Sequence, residues 1–380
     1  MNDRSAAANY SIYDETVRKT VSTESGTDWQ RAVPVRRRTV FRSGSRRDLK
    51  LDALSDLPVS GEAFGSGALQ RDPRWSIAKD LTFSHAQVRV EYSKVSGRRQ
   101  FRNADGLVYE YTSQDIHLVA TVCINDVVFR MTDRLQGSAP IEASMADFME
   151  ASALAAARQH AEVSVPDSAS LLLSPTVAAV LLHELLGHGA EEFLPAMEGM
   201  SLGSTDLNVT AFHPRRTSMD DLGMSSHPLR IVEHGVVLPQ AMGRSRPALL
   251  SGLAQAAWHS GPPLARCTHL GVGPGSGSEA DVESLTDGIL CVESSGGELV
   301  GRTAYVGVSR ARLVRDGAEI DSISPFTFKV SIDELSAKLL AVGSLVVRTR
   351  SGWCVKQGQP LVTESECPML LLDEMSLLAD

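Results

Sequence analysis

Up to about residue 70 the apolar positions recur with no sustained period, and the stretch ends in the Gly/Ser/Pro-rich text LPVSGEAFGSGALQRDP. It reads as a loosely structured lead-in. From about Trp75 to Arg134 the rhythm becomes near alternation in HAQVRVEY, GLVYEYTS, HLVATVCI and DVVFRMTD, separated by Ser-Gly, Asp-Gly and Asn-Asp turn signals. That pattern predicts an antiparallel meander. SMADFMEASALAAARQHAE then takes up helical spacing, with Ser144 as N-cap, and would pack on the meander. Ser174-Pro175 opens a second helix, a capping serine followed by proline where a missing N–H costs nothing. Its continuation, TVAAVLLHELLGHG, has no polar face before His183, so the helix must be buried. Beyond Glu192, runs such as LRIVEHGVVL, DGILCVES, GRTAYVGVSRARLVRDGAEI, GSLVVRTRSGWCVKQG and PMLLLDEM read as strands and hairpins. SIDELSAKLLAV, capped by Ser331 with Glu334 three residues on, is one helix among them.

These patterns predict an α+β fold. A basic, loosely structured N-terminal segment covers residues 1–70. An N-terminal antiparallel sheet with its packed helix covers 71–165, and a β-rich C-terminal domain carrying the buried helix covers 166–380.

Composition changes the picture mainly by exclusion. No apolar run approaches the roughly 20 residues of a membrane-spanning helix. The opening MNDRSAAANY lacks the apolar core of a secretory signal. Five irregularly spaced cysteines make no disulfide framework, which points to a reducing, cytoplasmic setting. Net charge is −9, yet residues 1–50 carry 11 Lys/Arg against 6 Asp/Glu, a local +5 that leaves −14 on the rest. The block Arg36-Arg37-Arg38 therefore reads as a solvated face, and the acidic body disfavours nucleic acid as a partner.

The chemistry lies in His183-Glu184-Leu185-Leu186-Gly187-His188. Two imidazoles can hold a divalent transition metal, and a carboxylate beside the first can activate water. Here the histidines are five residues apart rather than four. On an ideal α-helix that places them about 140° apart instead of about 40°. Both rings can meet one ion only if the helix widens or unwinds, and Gly187 and Gly189 would ease that distortion. Burial strengthens the reading, because a carboxylate and two histidines inside a core need partners.

Such a site needs a third ligand. Cys267, Cys291, Cys354, Cys367, His213, His227, His234, His259 and His269 are all candidates. Cys354, between Gly352 and Gly358, could be aimed inward by a turn after a strand, whereas Cys291 in DGILCVES reads as a small core hydrophobe. Spacing alone puts Cys354 only modestly ahead.

The text LLHELLGHGAEEF resembles the zinc-site helix of the TldD/PmbA metalloprotease family, on its TldD-like, metal-bearing side. Similar features follow in order: Asp220-Asp221-Leu222-Gly223, IVEHGVVLPQAM, PPLARCTHL, Gly296-Gly297 in VESSGGELV, and Gly352-Trp353-Cys354 before KQGQP. The resemblance runs from about residue 75 to the C-terminus. It implies one Zn2+ per chain, bound by His183, His188 and Cys354, with Glu184 as catalytic base. It further implies a peptidase acting on extended, unfolded peptide; a specialised version, motivated by the abridged N-terminus and not by the resemblance, would act on modified peptides in peptide or natural-product maturation. The working form would be a dimer, either with a TldE-like paralogue or with itself. A loop at Gly296-Gly297 would lie beside the substrate backbone, since glycines permit close approach, or would be an ordinary hairpin turn, the two readings being equally weighted. The alternative is a non-catalytic, peptide-binding subunit of such a complex. Two departures stand out: the N-terminal region looks short for the family, and Ala190-Glu191-Glu192-Phe193 replaces its usual glycine-rich text.

Overall fold

A computed structural model describes residues 9–23, 26–30, 35–41, 51–53, 86–102, 108–124, 127–135, 162–193, 197–213, 220, 226–238, 252–255, 264–276, 287–349 and 352–379. The chain divides into two compact units: Met1–Arg158 with Trp258–Pro262, and Gln159–Ala257 with Pro263–Asp380. The described structure is β-rich with few helices.

The first unit contains one antiparallel sheet. Its strands are β1 (Asn9–Thr23), β2 (Gly26–Gln30), β3 (Val35–Phe41), β4 (Leu51–Ala53), β5 (Ala86–Arg102), β6 (Val108–Ile124) and β7 (Val127–Leu135). They run in the order β4-β3-β1-β5-β6-β7, with β2 also on β1. Residues 1–70 are thus not simply the loose lead-in that their irregular pattern suggests, since four strands fall there. The reason is visible in the register. Asp14 of β1 stands opposite Arg36 of β3 and Arg98 of β5, so charged positions occupy places where a hydrophobic alternation would show a strand. Ser96-Gly97, a turn signal in the sequence, lies inside β5, which is paired on both edges by β1 and β6. VYEYTS and HLVATVCI likewise belong to the single strand β6. The helix expected over SMADFMEASALAAARQHAE falls outside the described residues, apart from its last residue, Glu162, which is in a strand.

The second unit begins with β8 (Glu162–Val163) and β9 (Ser168–Leu173), followed by helix α1 (Pro175–Leu182). A π-helical turn, His183–His188, and a short helix α2 (Gly189–Phe193) continue the same rod. Then come β10 (Val209–Phe212), β11 (Leu229–Glu233), β12 (Val236–Val237), β13 (Ala254–Gln255), β14 (Leu264–Ala265) and β15 (His269–Val272). The C-terminal part adds β16 (Gly288–Val300), β17 (Thr303–Arg315), β18 (Ala318–Ile323), β19 (Phe326–Ser331) and helix α3 (Ile332–Lys338). Last are β20 (Leu339–Val342), β21 (Val347–Arg348), β22 (Gly352–Lys356), β23 (Gln359–Cys367) and β24 (Leu370–Ala379).

Two larger sheets result. One runs β12-β11-β10-β15-β23-β21, with β22 also on β23. The other runs β16-β9-β24-β19-β17-β18-β8, and a β16–β17 pairing closes β16, β9, β24, β19 and β17 into a ring. Leu171, Leu173, Val306, Phe326 and Phe328 from this sheet join Val177, Leu181, Leu182, Leu185 and Leu186 of the helical rod in one core. The rod is held at its start by Ser174. Its Oγ accepts from Val177 N–H at 3.4 Å and donates to the Val292 carbonyl at 2.8 Å, which ties the helix to β16. Glycine and polar turns close the hairpins His234-Gly235 and Asp316-Gly317, all four residues at positive φ. Helix α3 has the capping box read from Ser331 and Glu334, but it stops at Lys338. Leu339 turns extended, and its strand pairs with β24, burying Leu339 and Val342. Among the described residues no helix is long and apolar enough to cross a membrane.

Candidate metal centre

The helical rod changes winding where the histidine spacing demands it. His183 to His188 form a π turn, and the Gly189 N–H reaches back five residues to the Glu184 carbonyl. Closure between residues five apart brings such residues onto one face. The two imidazole centroids are 4.8 Å apart at an interplanar angle of 71°. Neither glycine is at a positive φ, and a Cβ on either would meet its neighbours at ordinary contact distance, so the turn requires glycine at neither position. Gly189 has ordinary helical angles, φ −57 and ψ −43. A Cβ on Gly187 would stand 3.4 Å from both His183 Nδ1 and the Cys267 Cβ.

Cys354 arrives from the opposite side. It lies within β22 rather than at a turn, three residues before the tight bend at Gln357-Gly358, where both residues have positive φ. The strand alternation turns Cys354 inward while Trp353 and Val355 face outward. Its Sγ is 3.3 Å from His188 Nε2. One ligand atom each from His183, His188 and Cys354 lies within 4.8 Å of the others. A tetrahedral zinc site separates a sulfur and a nitrogen ligand by about 3.5 Å, so the spacing suits one transition-metal ion.

Two further observations fit a cation. His183 Nε2 is buried and has no hydrogen-bond partner among the described residues. Burial pushes the Cys354 thiol up, but the adjacent His183 and His188 outweigh it and bring it down to about 5. Burial opposes protonation of His188, yet its bonds to Cys354 and Glu191 raise it to about 10. Each of these two shifts favours the charged form of the group, the thiolate of Cys354 and the imidazolium of His188.

Glu184 is buried next to the pair, its Oε2 3.9 Å from His188 Nε2. Burial raises its carboxyl above the ordinary carboxylate range, partly offset by His183 and His188. Gly296 and Gly297 lie in strand β16, not in a loop or hairpin turn. Gly296 has φ +128 and open space around it. A Cβ on Gly297 would come within 2.8 Å of Val180 Cγ1 and 2.9 Å of Glu184 Cγ, so this glycine lets β16 approach the carboxylate-bearing helix. Gly297→Ala should therefore cost about 1–3 kcal/mol of stability from overpacking. If Glu184 is the base, it should also lower turnover on the order of 10–100-fold by displacing that group. Thermal midpoints and single-turnover rates of protein with equal metal content check both.

The other candidate ligands lie elsewhere. Cys291 and Cys367 are fully buried in the apolar core, where burial pushes their thiols far up. Cys267 packs beside Gly187 but is not in the ligand group, and its thiol is likewise raised by burial. His269 bonds Glu364 at 2.8 Å, while His227 and His234 are exposed and His213 is buried outside the group. His259 falls outside the described residues.

Three residues around the site escape a reading of the sequence. Glu191 Oε2 lies 3.2 Å from His188 Nδ1 and also accepts from Lys356 Nζ, while its Oε1 accepts the Cys267 N–H at 2.8 Å. Burial would raise its carboxyl, but His188 and Lys356 hold it down to about 2. Arg266, fully buried, donates to the Cys354 carbonyl and Sγ and to the Gln359 carbonyl. Only Glu191 left a signal, standing one helical turn beyond His188.

The family model of the PmbA/TldA metallopeptidase C-terminal domain matches residues 166–378, which include all of these groups. Among solved structures, TldE from Thermococcus kodakarensis is similar with a TM-score of 0.68 at 14% identity, over 98% of this chain and 97% of that one. Candidate modulators of DNA gyrase from Thermotoga maritima and Bacteroides thetaiotaomicron are similar too. Each has a TM-score of 0.66 at 14% identity, over 98% of this chain and 96% or 95% of theirs. At such identities the likeness is one of fold. A comparison with curated proteins finds no match. A family model covering more than half of the chain, over a site of two histidines, a thiol and a carboxylate, settles the membership: this chain belongs to the TldD/PmbA family.

Proposed function

We propose that the protein is a zinc-dependent peptidase or amidase that hydrolyses amide bonds in extended or modified peptides. The observation that carries this reading is the convergence of His183, His188 and Cys354 within 4.8 Å, with Glu184 buried beside them. His183 and His188 would use Nε2, since His188 Nδ1 is engaged by Glu191, and Cys354 would use its thiolate. When bound, zinc would supply Lewis acidity, which lowers the pKa of water toward neutrality and polarises an amide carbonyl.

The protein's own groups do the rest. Glu184 takes the proton of the attacking water and passes it to the leaving amine. Its buried setting and raised carboxyl suit a group that must both accept and return a proton. The substrate would lie along β16. That strand pairs with β9 only at Ile289, Leu290 and Cys291, so the β9-side edge beyond Cys291, past Gly296 and Gly297, has no strand partner among the described residues. An unpaired edge offers backbone hydrogen bonds to an extended peptide with little regard to its sequence.

The family resemblance and the fold shared with a TldE favour a dimeric working form, with a TldE-like paralogue or with a second copy; the few, irregularly spaced cysteines favour the cytoplasm. The alternative, a non-catalytic peptide-binding subunit, would leave His183, Glu184, His188 and Cys354 without a task. Purified protein, alone and with a paralogue, is to be assayed on a peptide library with and without chelator. Chelator-sensitive cleavage is the expected result. Peptide binding without cleavage by metal-loaded protein would favour the alternative.

A further inference from the structure

We propose that Arg266 is a positioning residue for Cys354, holding its sulfur at the distance from His188 that a metal ion requires. The assignment rests on the metal reading above and adds a residue to it.

The argument starts from burial. A guanidinium with no exposed surface is costly unless its donors are paired with well-placed acceptors. Two of Arg266's nitrogens find such partners. Nη2 donates to the Cys354 carbonyl at 2.7 Å and lies 2.9 Å from the Cys354 Sγ; Nη1 donates to the Gln359 carbonyl at 3.1 Å. One planar fork thus holds the Cys354 carbonyl and sulfur on β22 and the Gln359 carbonyl on β23.

The adjacent residue faces the other way. The Cys267 N–H donates to Glu191, whose other oxygen lies against His188 Nδ1. The dipeptide Arg266-Cys267 therefore touches both ligand-bearing elements, His188 through Glu191 and Cys354 directly. These ligands are 166 positions apart in the chain, and this bridge spans from one to the other. Lysine could supply the charge but not the fork, because an ammonium is a point donor without fixed geometry. Groups that orient metal ligands in this way typically change metal affinity by about 10–100-fold when removed.

The test uses the full chain as wild type, Arg266→Lys and Arg266→Met. Three quantities are measured: the thermal midpoint without metal, zinc affinity by competition with a chromophoric chelator, and the thiolate-to-metal absorption of the cobalt(II)-loaded protein. Both variants should fold, bind zinc roughly 10–100-fold more weakly, and show a weakened or shifted cobalt–thiolate band, with the smaller loss in Arg266→Lys. If wild type takes up no zinc, the metal reading fails and the assignment with it. If wild type binds and both variants match it in affinity and cobalt spectrum, the metal reading stands and the role of Arg266 is overturned. Variants that do not fold without metal would make Arg266 a folding residue, which also overturns the assignment.

Discussion

Glu184→Gln should retain its zinc and lose about 10²–10⁴-fold in turnover, the usual worth of a general base. The carboxamide fills the same volume beside Val180 and Gly297 but cannot accept the proton of water. The ligand atoms of His183, His188 and Cys354 are untouched by the change. Stability gives an independent check, and its sign can be worked out. Burial raises the Glu184 carboxyl above its unfolded value, so its ionisation opposes folding of the metal-free protein, a cost that is absent below the unfolded pKa and grows as pH rises above it. Glutamine removes that cost. Metal-free Glu184→Gln should therefore be at least as stable as wild type at pH 7. Its advantage should fade as pH falls and the wild-type carboxyl takes up a proton. If Glu184 merely held the helix, the variant would be less stable yet would turn over normally per folded molecule. Thermal midpoints across pH, with single-turnover rates, separate these outcomes.

Replacing the thiolate should have the largest effect on metal. Cys354→Ser substitutes a hydroxyl that stays protonated for a thiol brought down to about 5. Loss of a direct ligand should weaken zinc binding by more than the 10–100-fold typical of outer-sphere changes. Cys291→Ser is the matched control. That thiol is fully buried in the apolar core, so the hydroxyl should cost about 1–3 kcal/mol of stability while zinc content stays at the wild-type level. Should Cys354→Ser keep full zinc affinity while Cys291→Ser loses it, the ligand assignment is reversed.

The sequence was most informative where structure is local. Ser174-Pro175, the apolar face-less helix and the five-residue histidine spacing together imply a buried helix with a widened turn, and the π turn at His183–His188 is that distortion. The same holds for the Ser331 capping box and for the hairpins at His234-Gly235 and Asp316-Gly317. Long-range arrangements were not legible. Arg266 meets Cys354 across 88 positions and Glu191 meets Lys356 across 165, and no spacing rule links residues joined only by the packing of separate elements. The N-terminal strands escaped for another reason. Positions such as Asp14, Arg36 and Arg98 face one another in register and break the alternation by which strands are recognised. Leu339 to Val342 continue a helical pattern, yet pairing with β24 and burial override that local preference.

The most direct test of the central claim is elemental analysis of the protein as purified, beside a His183→Ala, His188→Ala double variant. The account predicts about one zinc per chain in the native protein, as expected of a site with three protein ligands, and almost none in the variant. Equal metal in the two proteins would contradict it.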